Sequence, residues 1–135
     1  MKHWKKLVFA SLIFACITVA LGPFFVPVVE LDGLVSADEF IEADSKFIEV
    51  NHVNIHYKEA GAGEKTFILL HGFGGSTFSW REVMDDFAEQ GHVIAYDRPA
   101  FGLTERPMPE DWVENPYGMK ANVELLRGLL DEFGI

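Results

Sequence analysis

Cysteine is nearly absent: Cys16 stands alone among 135 residues. A single thiol excludes an internal disulfide framework and any cysteine-based zinc site. Positive charge is scarce too, with 11 Lys and Arg against 21 Asp and Glu. Lys2, Lys5 and Lys6 are the only charges before Glu30, which leaves residues 30–135 at a net −13. Nucleic-acid binding needs clustered Lys and Arg to displace counterions, so this balance excludes it. No internal repeat and no low-complexity tract occurs. Disorder is excluded by what is plentiful, since 49% of the residues are apolar and 13% aromatic.

Charge is missing altogether from Leu7 to Val29, LVFASLIFACITVALGPFFVPVV. As a helix this stretch would be about 30–35 Å long, enough for a bilayer core, and it offers no polar face for a soluble surface. Residues 1–6 form a basic flank with Trp4 as an interfacial anchor, and residues 30–45 form an acidic linker. Positive-inside bias then places the N-terminus in the cytoplasm and the rest of the chain outside. The expectation is a single-pass transmembrane anchor over 7–29, whose outer end Pro23 and Pro27 can kink. The alternative is a signal peptide, with candidate cleavage sites after Ala20 and Ala37 and secretion as the outcome. Cys16 reads as an apolar residue of this segment, because Phe14 and Ala15 do not make a lipoprotein site.

From Lys46 the pattern turns to strands. Phe47–Val50 and Val53–Tyr57 alternate and are joined by Asn51-His52, where Asn tolerates positive φ, so an antiparallel hairpin is expected. Glu59 to Gly63 is a turn-rich break. Thr66–Leu70 and His92–Tyr96 are continuous apolar runs, as in strands covered on both faces. Between them a helix is expected from Ser76 or Thr77 to Gln90, with Trp80, Val83, Met84, Phe87 and Ala88 on one core-facing stripe and Gly91 as its stop. A long connection carrying Pro99, Pro107 and Pro109 and a solvated acidic face over 105–114 leads to Asn115-Pro116. There an N-cap with Pro at N1 starts a last helix. Val123, Leu126, Leu129, Leu130 and Phe133 face inward, and Gly134 closes the helix. Hairpin followed by strand–helix–strand–helix implies an α/β fold with a parallel sheet. An α/β unit ending on a helix at Gly134 calls for another strand, so residues 46–135 read as the front of a larger domain.

The chemistry concentrates in FILLHGFGGSTFSW, residues 67–80. A buried strand running into glycines leaves backbone N–H groups free at its C-terminal edge, a place for an anion or a developing negative charge. One use is dinucleotide binding by an oxidoreductase, with Asp97 as the ribose acid. Against this, Thr77 stands where the third glycine of G-x-G-x-x-G belongs. A ligand-binding module without catalysis is another. The third is the oxyanion loop of an acyl hydrolase. ILLHGFGGS closely resembles the His-Gly-x-Gly loop after the third strand of the α/β-hydrolase fold. DRPAFGLT, residues 97–104, resembles that family's D-x-x-G-x-G-x-S segment, and FIEVNHVNIHYKEAG resembles its first hairpin. The resemblance covers residues 46–135.

It implies a hydrolase that attacks an ester or related carbonyl with a Ser–His–Asp/Glu triad, needing neither metal nor cofactor. The Phe73 N–H would donate to the oxyanion with Gly74 beside it. His71, Gly72, Gly75, Asp97 and Arg98 would support the two loops, and Trp80 and Phe87 would belong to the core. Epoxide hydrolases and haloalkane dehalogenases usually carry Pro where this chain has Gly74, which tilts toward an esterase or C–C bond hydrolase. Two departures stand out: Ala100 replaces a family glycine and must either keep φ negative or carry strain, and Thr104 replaces Ser while keeping the hydroxyl. A third is larger. No G-x-S-x-G occurs, Ser76 and Ser79 are not elbow serines, and His52, His56 and His92 come too early to be the triad base. Residues 1–135 alone are therefore expected to be inactive.

Overall fold

A computed structural model describes residues 2–26, 33, 35–112 and 114–135. The outer end of the expected span, 27–29, and Glu30 and Asp32 of the acidic flank lie outside the described residues. The chain divides into two compact units, Met1–Val35 and Ser36–Ile135. In the first, α1 (Lys2–Leu21) is continued by a 3₁₀ turn over Gly22–Phe25, with Pro23 at its start. Leu7, Phe9, Leu12, Phe14, Ile17 and Val19 are all exposed. The 20 residues Lys6–Phe25, about 30 Å at about 1.5 Å per residue, have the length and apolar surface of a membrane span or a signal sequence.

The second unit is built on a four-stranded sheet ordered β1-β2-β4-β3. β1 (Lys46–Val50) and β2 (Val53–Ala60) form the hairpin, with Val50 opposite Val53. Asn51 at φ 50° and His52 at φ 63° are both left-handed, which a type I′ turn requires of its two central residues. β2 runs three residues further than its alternation suggests, because Tyr57 to Ala60 pair with β4, and the break starts at Gly61. β4 (His92–Tyr96) lies antiparallel to β2 and parallel to β3 (Thr66–Leu70). The sheet is thus mixed, with one parallel pair. β4 is central and buried from Val93 to Tyr96, as its apolar run implies. β3 is not: among the described residues it has a neighbour on one side only, and Leu70 is 44% exposed.

Each face of the sheet has its own core. On one, Val50, Val53, Ile55 and Tyr96 meet Leu125 and Leu129 of α3 (Met119–Phe133). On the other, Leu69, Val93 and Ala95 meet Phe67, Trp80, Met84, Phe87 and Ala88. Trp80 and Phe87 therefore belong to the core.

The helices differ from the periodic pattern in four respects. The segment after β3 is broken into a 3₁₀ turn at Thr77–Trp80 and a short α2 at Met84–Ala88, with Val83 half-exposed at the joint. Gly91 is not a left-handed helix stop. It is small because a Cβ there would sit 2.4 Å from the Lys65 carbonyl oxygen. Asn115-Pro116 does not cap α3. The Asn115 side chain accepts the Tyr117 N–H at 2.9 Å in an Asx turn, and α3 starts three residues later from Gly118. Finally, Val123 is 58% exposed and Leu125 is buried in its stead, while Gly134, at φ 69°, ends the helix in the left-handed region.

Candidate active site

The loop between β3 and the 3₁₀ turn is shaped by its glycines. Gly75 N–H donates to the Gly72 carbonyl at 3.2 Å, closing a β-turn with Phe73 and Gly74 in its middle. Gly74, at φ 72°, supplies the positive φ that a type II turn needs at its third residue. Gly75 is small for a different reason, since a Cβ would lie 3.0 Å from Ser79 Oγ. The Phe73 side chain is 96% exposed, and the N–H groups of Phe73 and Gly74 have no hydrogen-bond partner among the described residues. Two unspent donors thus stand at the C-terminal end of a strand of the parallel pair.

Both ends of this loop are pegged to consecutive residues after β4. At its start, buried His71 accepts the Arg98 N–H on Nε2 at 3.1 Å, so its proton sits on Nδ1 and is donated to the Gly72 carbonyl at 2.8 Å. With both ring nitrogens engaged, His71 orients backbone and has no free lone pair to act as a base. At the loop's end, Ser76 Oγ accepts the Phe78 N–H, and the Thr77 N–H donates to Asp97 Oδ1 at 2.6 Å. Asp97 Oδ2 accepts the Leu103 N–H at 3.0 Å and faces His56 Nδ1 at 2.7 Å. Burial alone would raise the Asp97 carboxyl, but His56 and the two amides outweigh it and hold it below its ordinary value.

The second loop is wound tightly around that carboxylate. A Cβ on Gly102 would fall 1.9 Å from Asp97 Oδ2, and Gly102 itself has φ 49°. Ala100 takes φ 72°, so of the two possibilities open to an alanine there the strained one is realised. Thr104 puts its hydroxyl to use: Oγ1 donates to the Asp97 carbonyl at 2.6 Å and accepts the His56 N–H at 2.9 Å. Phe101 packs edge-on against both His71 and Phe73, with the Arg98 guanidinium 5.3 Å from its centroid. The geometry thus joins His71, Gly72, Phe73, Gly74, Gly75, Asp97 and Arg98 in one cluster.

His56 is the member that strand periodicity misses. It is 2% exposed, and its Nε2 meets Ser45 Oγ at 3.0 Å. Ser45, His56 and Asp97 therefore line up as hydroxyl, imidazole and carboxylate. They are not placed for catalysis. Ser45 Oγ is already accepting the Glu42 N–H, and Glu42 and Asp44, gathered on Lys58, would oppose the charge of an attacked carbonyl. The signal for His56 was a strand ending in Asp97, whose buried carboxylate demands donors.

Asp97, committed to three donors, is not free to hold a ribose, and the loop feeds a 3₁₀ turn in place of a long helix. Among the described residues, no three His, Cys, Asp or Glu side chains are grouped to hold a metal ion.

The alpha/beta hydrolase fold family matches residues 65–135, more than half of the chain. An uncharacterized hydrolase of Saccharomyces cerevisiae is 48% identical over 56 residues, covering 41% of this chain and 19% of that protein. A 2-hydroxy-6-oxononadienedioate/2-hydroxy-6-oxononatrienedioate hydrolase of Paraburkholderia phymatum is 33% identical over 101 residues, 69% of this chain and 33% of the relative. Among solved structures, an epoxide hydrolase of Vigna radiata superposes with a TM-score of 0.60 at 28% identity, over 67% of this chain and 28% of that one. The chain thus spans a third or less of the length of these relatives.

Proposed function

The chain belongs to the α/β-hydrolase fold family, and from that premise we propose that the whole protein is a hydrolase whose tetrahedral intermediate is held by the Phe73 N–H with Gly74 beside it. One observation carries this: two unspent N–H donors on a loop pegged at both ends, at the C-terminal edge of β3. His71, Gly72, Gly75, Asp97 and Arg98 hold that loop in shape. The nucleophile, acid and base come from outside residues 1–135, so these residues alone do not turn over substrate.

Two substrate classes use such a loop. An ester or a C–C bond next to a carbonyl, attacked by a serine, is supported by Gly74 in the place where epoxide hydrolases usually carry Pro, and by the dienedioate hydrolase. An epoxide, opened by a carboxylate, is supported by the likeness to the Vigna radiata enzyme; its ester intermediate also passes through an oxyanion. The apolar segment around α1 is the anchor that holds the hydrolase outside the cytoplasmic membrane, the lysines staying within.

The test replaces the Phe73 amide by an ester linkage in the whole protein, assayed on an aryl ester, a vinylogous diketo acid and a terminal epoxide. Removing one oxyanion donor lowers kcat by about 10²–10³ with little change in KM. Phe73→Ala keeps the donor and has a milder effect. An unchanged kcat in the folded ester-linked protein would reduce the loop to a turn, and the substrate turned over decides between the two classes.

A further inference from the structure

Asp97 is where the site's two loops meet, and the hydrogen bonds do not stop there. In its neutral form the His56 ring donates Nδ1–H to Asp97 Oδ2 and accepts the Ser45 hydroxyl on Nε2, while Ser45 Oγ accepts the Glu42 N–H. The segment that supplies Ser45 is fastened a second time, because Lys58 of β2 gathers both Glu42 and Asp44. Residues 42–45 are thus bound to β2 at two of its side chains, His56 and Lys58. From His56 a buried line of polar contacts reaches the Thr77 and Leu103 amides.

We propose that His56 and Ser45 are positioning residues, coupling the segment before β1 to the Phe73 loop through Asp97. The inference rests on the reading of that loop as the oxyanion site. Its physical content is orientation. A carboxylate with one oxygen on Thr77 can still rotate about its Cβ–Cγ bond, and it is His56 and Leu103 on the other oxygen that stop it. His56 would swing in turn if Nε2 were unheld. Fixing the carboxylate fixes Thr77, the downstream peg of the loop whose N–H groups must meet an oxyanion within a few tenths of an ångström. The bond between Ser45 and His56 is the joint through which displacement of segment 42–45 reaches the site.

The experiment uses the whole protein and two readouts, amide exchange at Thr77 and Leu103, and kcat against KM on whichever substrate it turns over. His56→Phe removes the donor to Asp97 and should speed exchange at both amides by about tenfold, the effect of losing one buried hydrogen bond. kcat should fall with KM nearly constant, and His56→Gln, which can still donate to Asp97, should restore part of both. Ser45→Ala should speed exchange of the Glu42 and Thr77 amides severalfold, and it carries the test alone if His56→Phe does not fold. Unchanged Thr77 exchange in folded Ser45→Ala, or Thr77 and Leu103 exchange unmoved in folded His56→Phe, overturns the proposal. A wild-type protein without hydrolase activity overturns the oxyanion reading and leaves the exchange result to be judged by itself.

Discussion

Replacing Asp97 by Asn tests how much of the loop architecture depends on a single carboxylate. The two side chains are nearly isosteric, and the backbone bonds of residue 97, its N–H to the His56 carbonyl and its carbonyl to Thr104 Oγ1, are untouched. An amide has one acceptor oxygen where the carboxylate has two. Aimed at Leu103 and His56, that oxygen leaves its NH₂ facing the Thr77 N–H, donor against donor; flipped, the NH₂ opposes the Leu103 N–H, while His56 can change tautomer and accept from it. Either arrangement orphans one N–H, at about 1–3 kcal/mol. The two surviving bonds lose charge assistance, at about 1 kcal/mol or less each. The total comes to about 3 kcal/mol, a Tm lower by about 6–12 °C in a larger domain. Denaturant unfolding of the whole protein measures it, with faster Thr77 exchange as the local signature. Asp97→Ala, which orphans all three donors, should cost more. An Asn variant within about 0.5 kcal/mol of wild type, the range of an inconsequential surface change, would refute the idea that this carboxylate holds the loops.

The same carboxylate sets an acid limb. Its folded pKa is depressed, so its contribution is complete above the unfolded value of about 3.9 and is lost as pH falls through the lower folded value. Stability against pH should show this drop in wild type and a shallower one in Asp97→Asn. Ala100→Gly relieves a left-handed residue worth about 1–2 kcal/mol and costs about 0.4–1 kcal/mol in unfolded-state entropy, so a gain of about 0.5–1 kcal/mol is expected by denaturant melts. Gly102→Ala, which forces a Cβ onto Asp97 Oδ2, should instead cost several times that gain and perturb Leu103 exchange. For α1, a reporter fused after Ile135 should work only outside the cytoplasm; a cytoplasmic signal would reverse the orientation, and release into the medium would make the helix a signal peptide.

What could be read from the sequence is what local chemistry determines. Asn51-His52 between two alternating runs dictates a left-handed two-residue turn, and a Gly-rich stretch after an apolar run dictates exposed N–H groups, whatever the rest of the chain does. What could not be read depends on residues far apart. His56 looks outward by alternation, as Asn54 is, and is buried because Asp97, 41 positions on, folds over it. Asn115 has one short-range capability, accepting an N–H two residues ahead, and spends it on a turn and not on a helix cap; nothing local decides between them.

The face of α3 shows a subtler reason. A stripe drawn through bulky residues from Val123 to Phe133 ignores Gly128, yet a Cβ on Gly128 would lie 2.7 Å from Val50 Cγ1. The helix passes close to the sheet where it has no side chain, so the buried face includes Gly128 together with Leu125 and Leu129 while Val123 turns to solvent. Apolar counting locates a helix face by what fills space, and here the contact is set by what leaves space empty. The two loops of the candidate site follow the same logic. Gly75 and Gly102 are where backbone must pass close to Ser79 and Asp97, whereas Ala100, left-handed without being glycine, shows that the tight loop is held by the bonds to Asp97 and not by an intrinsic preference of its backbone.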